Sequence, residues 1–483
     1  MRIPRRTFLK AAGVAGVALA ARRTFGPLIR TSHAGSTGLA AKRVVIVAIG
    51  GGLRLSESLG MADGATMPNL FGSVPLVSGF GPGAVGPVAF APEFVAGTPA
   101  IIRPATATTP LHTQGTLVTN LRYAEGPPGH LQGHCTLVSG AYNQMENRGD
   151  ARVPTPTLFE IVRRERGTAA TDAWYLSAVG GFYRALQTSA DPDFGPRFAG
   201  TFLSPAGPMS AIVPLVSSGV RRYRFDGMSL GLPTIKDTPA EAAAVRRLGS
   251  ILDGNTPEYA DGEVRSSPDD RAAIREHLGG LYADPTYESF YPDSVGIGLT
   301  ADDGGLDSTN DALTVYHAEQ ILTRFKPSVM VVTLLDIDAC HLDYNGYLRG
   351  QLLADACVRR LWETIQSTDG LRNETALLVV PEHGRHLYHN GRYPDSLGRS
   401  GIDHGEGDDG DRNVWMLALG PDFRAGQVIA PTAIAQSGRT SGRYESVDVA
   451  MTAASILGHG DVLAAKLTAL GKRPGLTMQE LFR

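Results

Sequence analysis

The run Arg43-Val44-Val45-Ile46-Val47-Ala48-Ile49 is apolar at every position after the first and rich in β-branched side chains. A strand with one wet face alternates apolar and polar residues. An unbroken run therefore reads as a strand covered on both faces, the centre of a sheet lying between two layers of helices. Similar segments follow at 115–123, 173–179, 328–335, 375–380 and 413–420, and helical patterns lie among them at 308–325, 348–368 and 446–457. Apolar residues three and four apart mark a further helix at 156–164, and one is expected around 136–139. This alternation predicts an α/β three-layer sandwich, with a mainly parallel central sheet and helices on both faces.

The 483 residues are 42% hydrophobic and 19% charged with a net charge of −3, enough apolar content for a large core and no basic excess to suggest nucleic acid. Glycine and proline crowd residues 73–113, read as a surface excursion, and 183–304, read as an inserted cap or lid with helical pieces at 239–252 and 268–281. Residues 1–35 read as a leader. Arg5-Arg6-Thr7-Phe8-Leu9-Lys10 followed by the apolar run 11–21 has the twin-arginine export pattern. That run is too short to span a bilayer. Cleavage is expected after Ala20 or later, near Ala34. The domain is then 42–483, a client of the twin-arginine translocase that reaches the periplasm or the exterior with no stable transmembrane segment.

Histidine stands beside carboxylate in Asp336-Ile337-Asp338-Ala339-Cys340-His341, in Glu382-His383 and in Asp403-His404, each read as the end of an apolar, strand-like run. Imidazole and carboxylate together ligate zinc, manganese or iron, and strand ends are where an α/β sheet gathers its site. One such pair taken alone is more often a hydrogen-bonded structural feature; three in one half of the chain point to a divalent metal. Cys135, Cys340 and Cys357 are odd in number and widely spaced, so they read as buried thiols rather than as disulfides or a Cys-x-x-Cys site. The acidic loop 406–411 reads as solvated more readily than as a calcium loop.

In their order along the chain, Val44 to Arg54, Met67-Pro68-Asn69-Leu70-Phe71, His134-Cys135-Thr136-Leu137-Val138-Ser139-Gly140, Thr155-Pro156-Thr157-Leu158-Phe159 and the three histidine-carboxylate motifs resemble the alkaline phosphatase and sulfatase superfamily. The resemblance runs from Arg43 to the C-terminus, interrupted by the cap. It implies one or two divalent ions, zinc foremost with manganese or calcium as alternatives. Asp338 or Asp336 with His341 and His404 would form one site, and Glu382 with His383 the second, where the family has aspartate. It implies an anionic small-molecule or polymeric ester as substrate.

Two positions depart from the family pattern. The first-strand aspartate falls at Gly51, with Glu57 close enough in sequence to reach back, and the nucleophile position falls at His130. Histidine can carry a phosphoryl group, act as acid or base, or ligate a metal. Thr136 is the nearest hydroxyl, and Arg54 and Arg385 are candidate anion clamps or structural ion pairs. Cys-x-Pro-x-Arg, the sulfatase signature, is absent, as is the Gly-x-Ser-x-Gly elbow of a serine hydrolase. Two functions stand against each other: an exported metal-dependent hydrolase of phosphate or sulfate esters with an atypical nucleophile position, and a catalytically degenerate relative that binds or supports a partner in the cell envelope.

Overall fold

The computed structural model describes residues 38–60, 66–72, 76, 109–145, 151–178, 181–204, 268–283, 310–341, 344–390, 401–405 and 407–483. The leader at 1–35, the helix expected at 239–252 and most of the excursion at 73–113 lie outside them.

Eight strands form one sheet: β1 (Arg43–Ile49), β2 (Thr116–Arg122), β3 (Ala173–Ser177), β4 (Thr201–Leu203), β5 (Val329–Leu334), β6 (Thr375–Pro381), β7 (Asn413–Leu419) and β8 (Gln427–Ile429). Their spatial order is β4-β3-β5-β1-β6-β7-β2-β8. From β4 to β6 every pairing is parallel, whereas β7 runs antiparallel to both its neighbours. β1 is central, and its register sets Ile49 beside Leu334 of β5 and Pro381 of β6, so these three strands end together.

The unbroken apolar run of β1 divides between two cores by the period-two alternation of a strand. Val45, Val47 and Ile49 enter a core with Leu313, Ile321, Leu353 and Leu361. These come from α4 (Asn310–Phe325) and α5 (Tyr344–Ser367). Val44, Ile46 and Ala48 enter a second core with Leu137, Ile161, Val449 and Leu463. These come from α1 (His130–Ser139), α2 (Leu158–Arg166), α6 (Ser446–Ile456) and α7 (Gly460–Ala469). Two helical layers around one sheet make the three-layer sandwich, and burying each such aliphatic side chain stabilises it by about 1.5–3 kcal/mol.

Part of the stretch read as a cap belongs to the domain. β4 adds to the edge of the sheet beside β3, and α3 (Pro268–Ala283) sends Ile274 and Leu278 into the main core. The helical piece expected at 268–281 is thus present as α3, and what the pattern did not show is its packing into the main core and the three-residue strand β4.

α1 also begins six residues before the expected start. Gly129, extended at φ −158°, precedes it, and Gly140, left-handed at φ +67°, ends it. The earlier start has a consequence for the site. His130 and His134 become i and i+4 on one helix, and so share a face.

α2 opens with a capping box in which the Thr157 backbone N–H donates to Glu160 while the Glu160 N–H donates to the Thr157 hydroxyl. The other Glu160 oxygen accepts from the Ser189 N–H at 2.8 Å and from its hydroxyl at 2.9 Å. Burial nevertheless pushes this carboxyl up to about 7. Its folded value exceeds the unfolded one, so its contribution is fully present below about pH 4.5 and is lost as pH rises through 7. In denaturant titrations, Glu160→Gln is expected to flatten the decline of stability between pH 5 and 7 by up to about 3 kcal/mol; an unchanged slope rejects this assignment.

Candidate metal centre

The carboxyl ends of β5, β1 and β6 deliver three turns to one edge of the sheet. After β5 the chain enters the 3-10 turn Asp336–His341, held by the Asp338 N–H donating to the Leu335 carbonyl at 2.9 Å. The buried Asp311 carboxylate accepts from the Leu335 and Asp336 N–H groups at 2.6 and 3.2 Å. After β6 come Glu382 and His383. Because β7 is antiparallel to β6, its start lies at this same edge, and the preceding segment brings Asp403 and His404.

Two groups of ligand atoms converge. His130, Asp338, His341 and His404 form one, and His130, Glu382 and His383 the other, the atoms of each lying within 4.8 Å of one another. In the first, His341 Nε2 is 3.1 Å from both Asp338 Oδ1 and His404 Nε2. Its other nitrogen, Nδ1, is held by Asp403 Oδ1 at 2.7 Å, and Arg385 donates to Asp338 Oδ1 at 2.5 Å. In the second, His383 Nδ1 donates to the Gly384 carbonyl at 2.6 Å, which leaves Nε2, 3.2 Å from Glu382 Oε1, as the free edge. Such outer partners set the tautomer and aim of metal-binding histidines. The first group opens toward solvent, with His341 35% exposed, whereas Glu382 and His383 are fully buried.

These residues fit a divalent cation. Imidazole and carboxylate are the donor set of zinc and manganese, and His383 Nε2 and His404 Nδ1 are buried ring nitrogens with no hydrogen-bond partner. Burial and the neighbouring charges of His383, Arg385 and His130 push His404 well below the ordinary imidazole range, into its neutral ligating form. Burial alone would raise Glu382 and Asp338. The charges of His134, His130 and His383 hold Glu382 well below the usual carboxylate range. Hydrogen bonds from His130 and His341, with the charges of His130 and Arg385, do the same for Asp338. Burial opposes charge on His130, but these two carboxylates raise it to about 10. A cation entering here therefore displaces protons, so its affinity falls in acid.

Of the residues singled out from sequence, Asp338, His341, Glu382, His383, His404 and His130 come together, and Asp336, Thr136 and Arg54 do not. Asp336 Oδ2 accepts from the Asp311 N–H at 3.2 Å, away from either ligand group. Thr136 is buried within α1 and its hydroxyl donates to the Gln132 carbonyl at 2.8 Å. Arg54 is buried against Glu57 through both of its carboxylate oxygens and donates to the carbonyls of His386 and Leu387. Glu57 is thus occupied by Arg54, Ser56, Tyr344 and Tyr347 and does not substitute for the missing first-strand carboxylate. Cys340 lies in the core, where burial lifts its thiol to about 11. Among the described residues of the acidic loop, Asp409 is exposed, whereas Asp411 is buried and accepts from the Gly405 and Gly407 N–H groups.

Gly51 has a structural reason. Its φ is +88°, and a Cβ there would meet the Asp338 backbone nitrogen at 2.5 Å and Cα at 2.8 Å. Its N–H donates to Glu382 Oε1 at 2.7 Å. The longer Glu382 side chain, entering from β6, thus brings a carboxylate to the strand end where Gly51 has none. His134 was read only as a landmark. Its Nδ1 faces Glu382 Oε2 and its buried Nε2 has no partner. Asp403 was read only as a neighbour of His404, although it orients His341. The i, i+4 spacing from His130 would have found the first, given the true start of α1; only the fold reveals the second.

No family model and no curated protein matches the sequence. Among solved structures the chain is similar to a 2-O GAG sulfatase, at 10% identity over 87% of this chain and 71% of that one, TM-score 0.40. It is similar to the phosphonate monoester hydrolase of Agrobacterium radiobacter, at 13% identity over 91% and 77%, TM-score 0.36. It is also similar to the alkaline phosphatase PafA, at 8% identity over 92% and 99%, TM-score 0.41.

Restoring an aspartate by Gly51→Asp is expected to damage the centre, because the backbone conformation costs about 1–3 kcal/mol for a non-glycine residue even before the contact with Asp338. Thermal unfolding and zinc titration check this; a variant with unchanged stability and zinc affinity contradicts it. Asp403→Ala should weaken zinc binding by about 10–100-fold while leaving the protein folded, and an unchanged affinity would remove Asp403 from the support of His341.

Proposed function

We propose that this chain is an exported, metal-dependent hydrolase of phosphate or sulfate esters. The observation that carries the reading is the convergence of two histidine-carboxylate groups at the carboxyl edge of a parallel sheet, one of them open to solvent. The twin-arginine leader pattern supports delivery to the periplasm or exterior, and no helix among the described residues is long and apolar enough to cross a membrane.

A divalent cation, zinc first with manganese or calcium as alternatives, supplies Lewis acidity for an anionic ester and acidifies water. Asp338, His341 and His404 would hold it on the exposed side, and Glu382 and His383 provide a second, buried set. Asp403 and the Gly384 carbonyl aim the two imidazoles, and Arg385 keeps Asp338 ionised and in place. The hydroxyl nearest in sequence, that of Thr136, donates to the Gln132 carbonyl of its own helix. Water is therefore the nucleophile assigned here: its oxygen bonds to phosphorus or sulfur as the ester oxygen leaves with a proton. Both His130 nitrogens face carboxylates, Nδ1 to Glu382 at 2.7 Å and Nε2 to Asp338 at 3.4 Å, which supports reading His130 as a ligand rather than as the attacking group.

Glycine at position 51 and histidine at position 130 favour a second reading, a catalytically silent binding protein of the envelope. Metal analysis of protein purified without chelator, followed by assays on aryl phosphates, phosphodiesters and aryl sulfates with added zinc, manganese or calcium, separates the two. Stoichiometric metal with turnover is expected. His341→Ala should lower metal content and abolish turnover; a wild-type protein with neither metal nor turnover ends the enzyme reading.

A further inference from the structure

We infer that His130 is a bridging ligand, its imidazole holding one cation on each edge, with an outer ion among Asp338, His341 and His404 and an inner ion between Glu382 and His383. The inference deepens the proposed function and rests on its metal centre. Both ligand groups need His130: it is the one residue they share. The ring stands between them edge on, with Nδ1 2.7 Å from Glu382 Oε1 and Nε2 3.4 Å from Asp338 Oδ2. Its centroid is 5.3 Å from that of His383 and 4.5 Å from that of His404. Each nitrogen of the ring thus faces a carboxylate of a different group, Nδ1 that of the inner one and Nε2 that of the outer.

The backbone holds the ring in this pose. His130 opens α1 behind Gly129, and a Cβ on Gly133, one turn on, would lie 2.9 Å from the Glu382 carbonyl oxygen. The start of α1 is thus packed directly against the end of β6. His134, one turn further along the same face, meets Glu382 from behind.

The bridge has a chemical consequence. Ions on opposite edges of one ring, each about 2.0 Å from its nitrogen, cannot approach to the about 3.5–4 Å of paired ions that clamp a single displacement. The outer ion alone then meets the ester, and the inner ion, among side chains with no exposure, holds His130 in place. Filling both edges releases the ring proton to solvent.

Copper(II) is the probe. The metal-free full-length chain is loaded with two equivalents of Cu2+ and its electron paramagnetic resonance signal is integrated. The expected result is two bound ions whose low-temperature signal falls well below two spins, because one imidazole couples them. His130→Gln is expected to give only uncoupled copper, and His383→Ala a single uncoupled ion. Wild-type protein that binds only one Cu2+, or two with full uncoupled intensity, overturns the bridge. The two readings fail separately: uncoupled ions with ester turnover remove the bridge and keep the hydrolase, whereas coupled ions without turnover keep the bridge and remove the hydrolase.

Discussion

The Glu382 carboxylate has no exposure to water, and an ionised group in that position costs several kcal/mol unless charge and hydrogen bonds surround it. Here the surroundings come from four directions. The Gly51 N–H donates from the end of β1, His130 and His134 approach from the first turns of α1, and His383 lies beside it on its own strand end. Each of these requires a separate feature of the fold: a left-handed glycine, a helix starting at residue 130, and a central strand in register with its neighbours. Removing the carboxylate would take from His130 Nδ1 the acceptor it meets at 2.7 Å and from His134 and His383 the negative charge beside them. The centre thus follows from where one buried charge can be satisfied.

The same geometry explains why the centre departs from the pattern its motifs resemble. At Gly51 a side chain would occupy the backbone of the turn after β5, and at Gly52 a Cβ would lie 2.5 Å from the Gly384 carbonyl oxygen. Glycines let the turns after β5 and β6 close over the end of β1, which brings Asp338 and His383 toward one point. A side-chain carboxylate from β1 is incompatible with that closure. A longer carboxylate from β6 is compatible with it, which accounts for glutamate at position 382.

Charge and packing divide the centre into an open and a closed half. Asp338 and His341 retain contact with solvent, and their partners Arg385 and Asp403 hold them from the sides. Glu382 and His383 are enclosed by the strand ends. Arg54, Glu57, Tyr344 and Tyr347 form a separate buried network, so the positive charge of Arg54 is neutralised locally. The open half, with His341 35% exposed, is the side of the centre that meets solvent.

The apolar runs alone determined the α/β class, the central position of β1 and the order of the main elements, because a strand buried on both faces has no polar alternation to disguise it. They pointed too to the sheet edge for His341 and His383, since each follows an apolar segment, whereas His404 reaches that edge because β7 runs antiparallel to β6. Tertiary structure decided the rest. Asp336 and Asp338 are two residues apart in one turn, and only the packing of Asp311 assigns the first to that turn and the second to the centre. Thr136 and His130 lie on one helix, yet the true helix start gives His130 to the centre and returns the Thr136 hydroxyl to its own backbone. Whether a polar side chain ligates or merely stabilises depends on which distant backbone and charge it meets, and those encounters exist only once the strand ends are brought together.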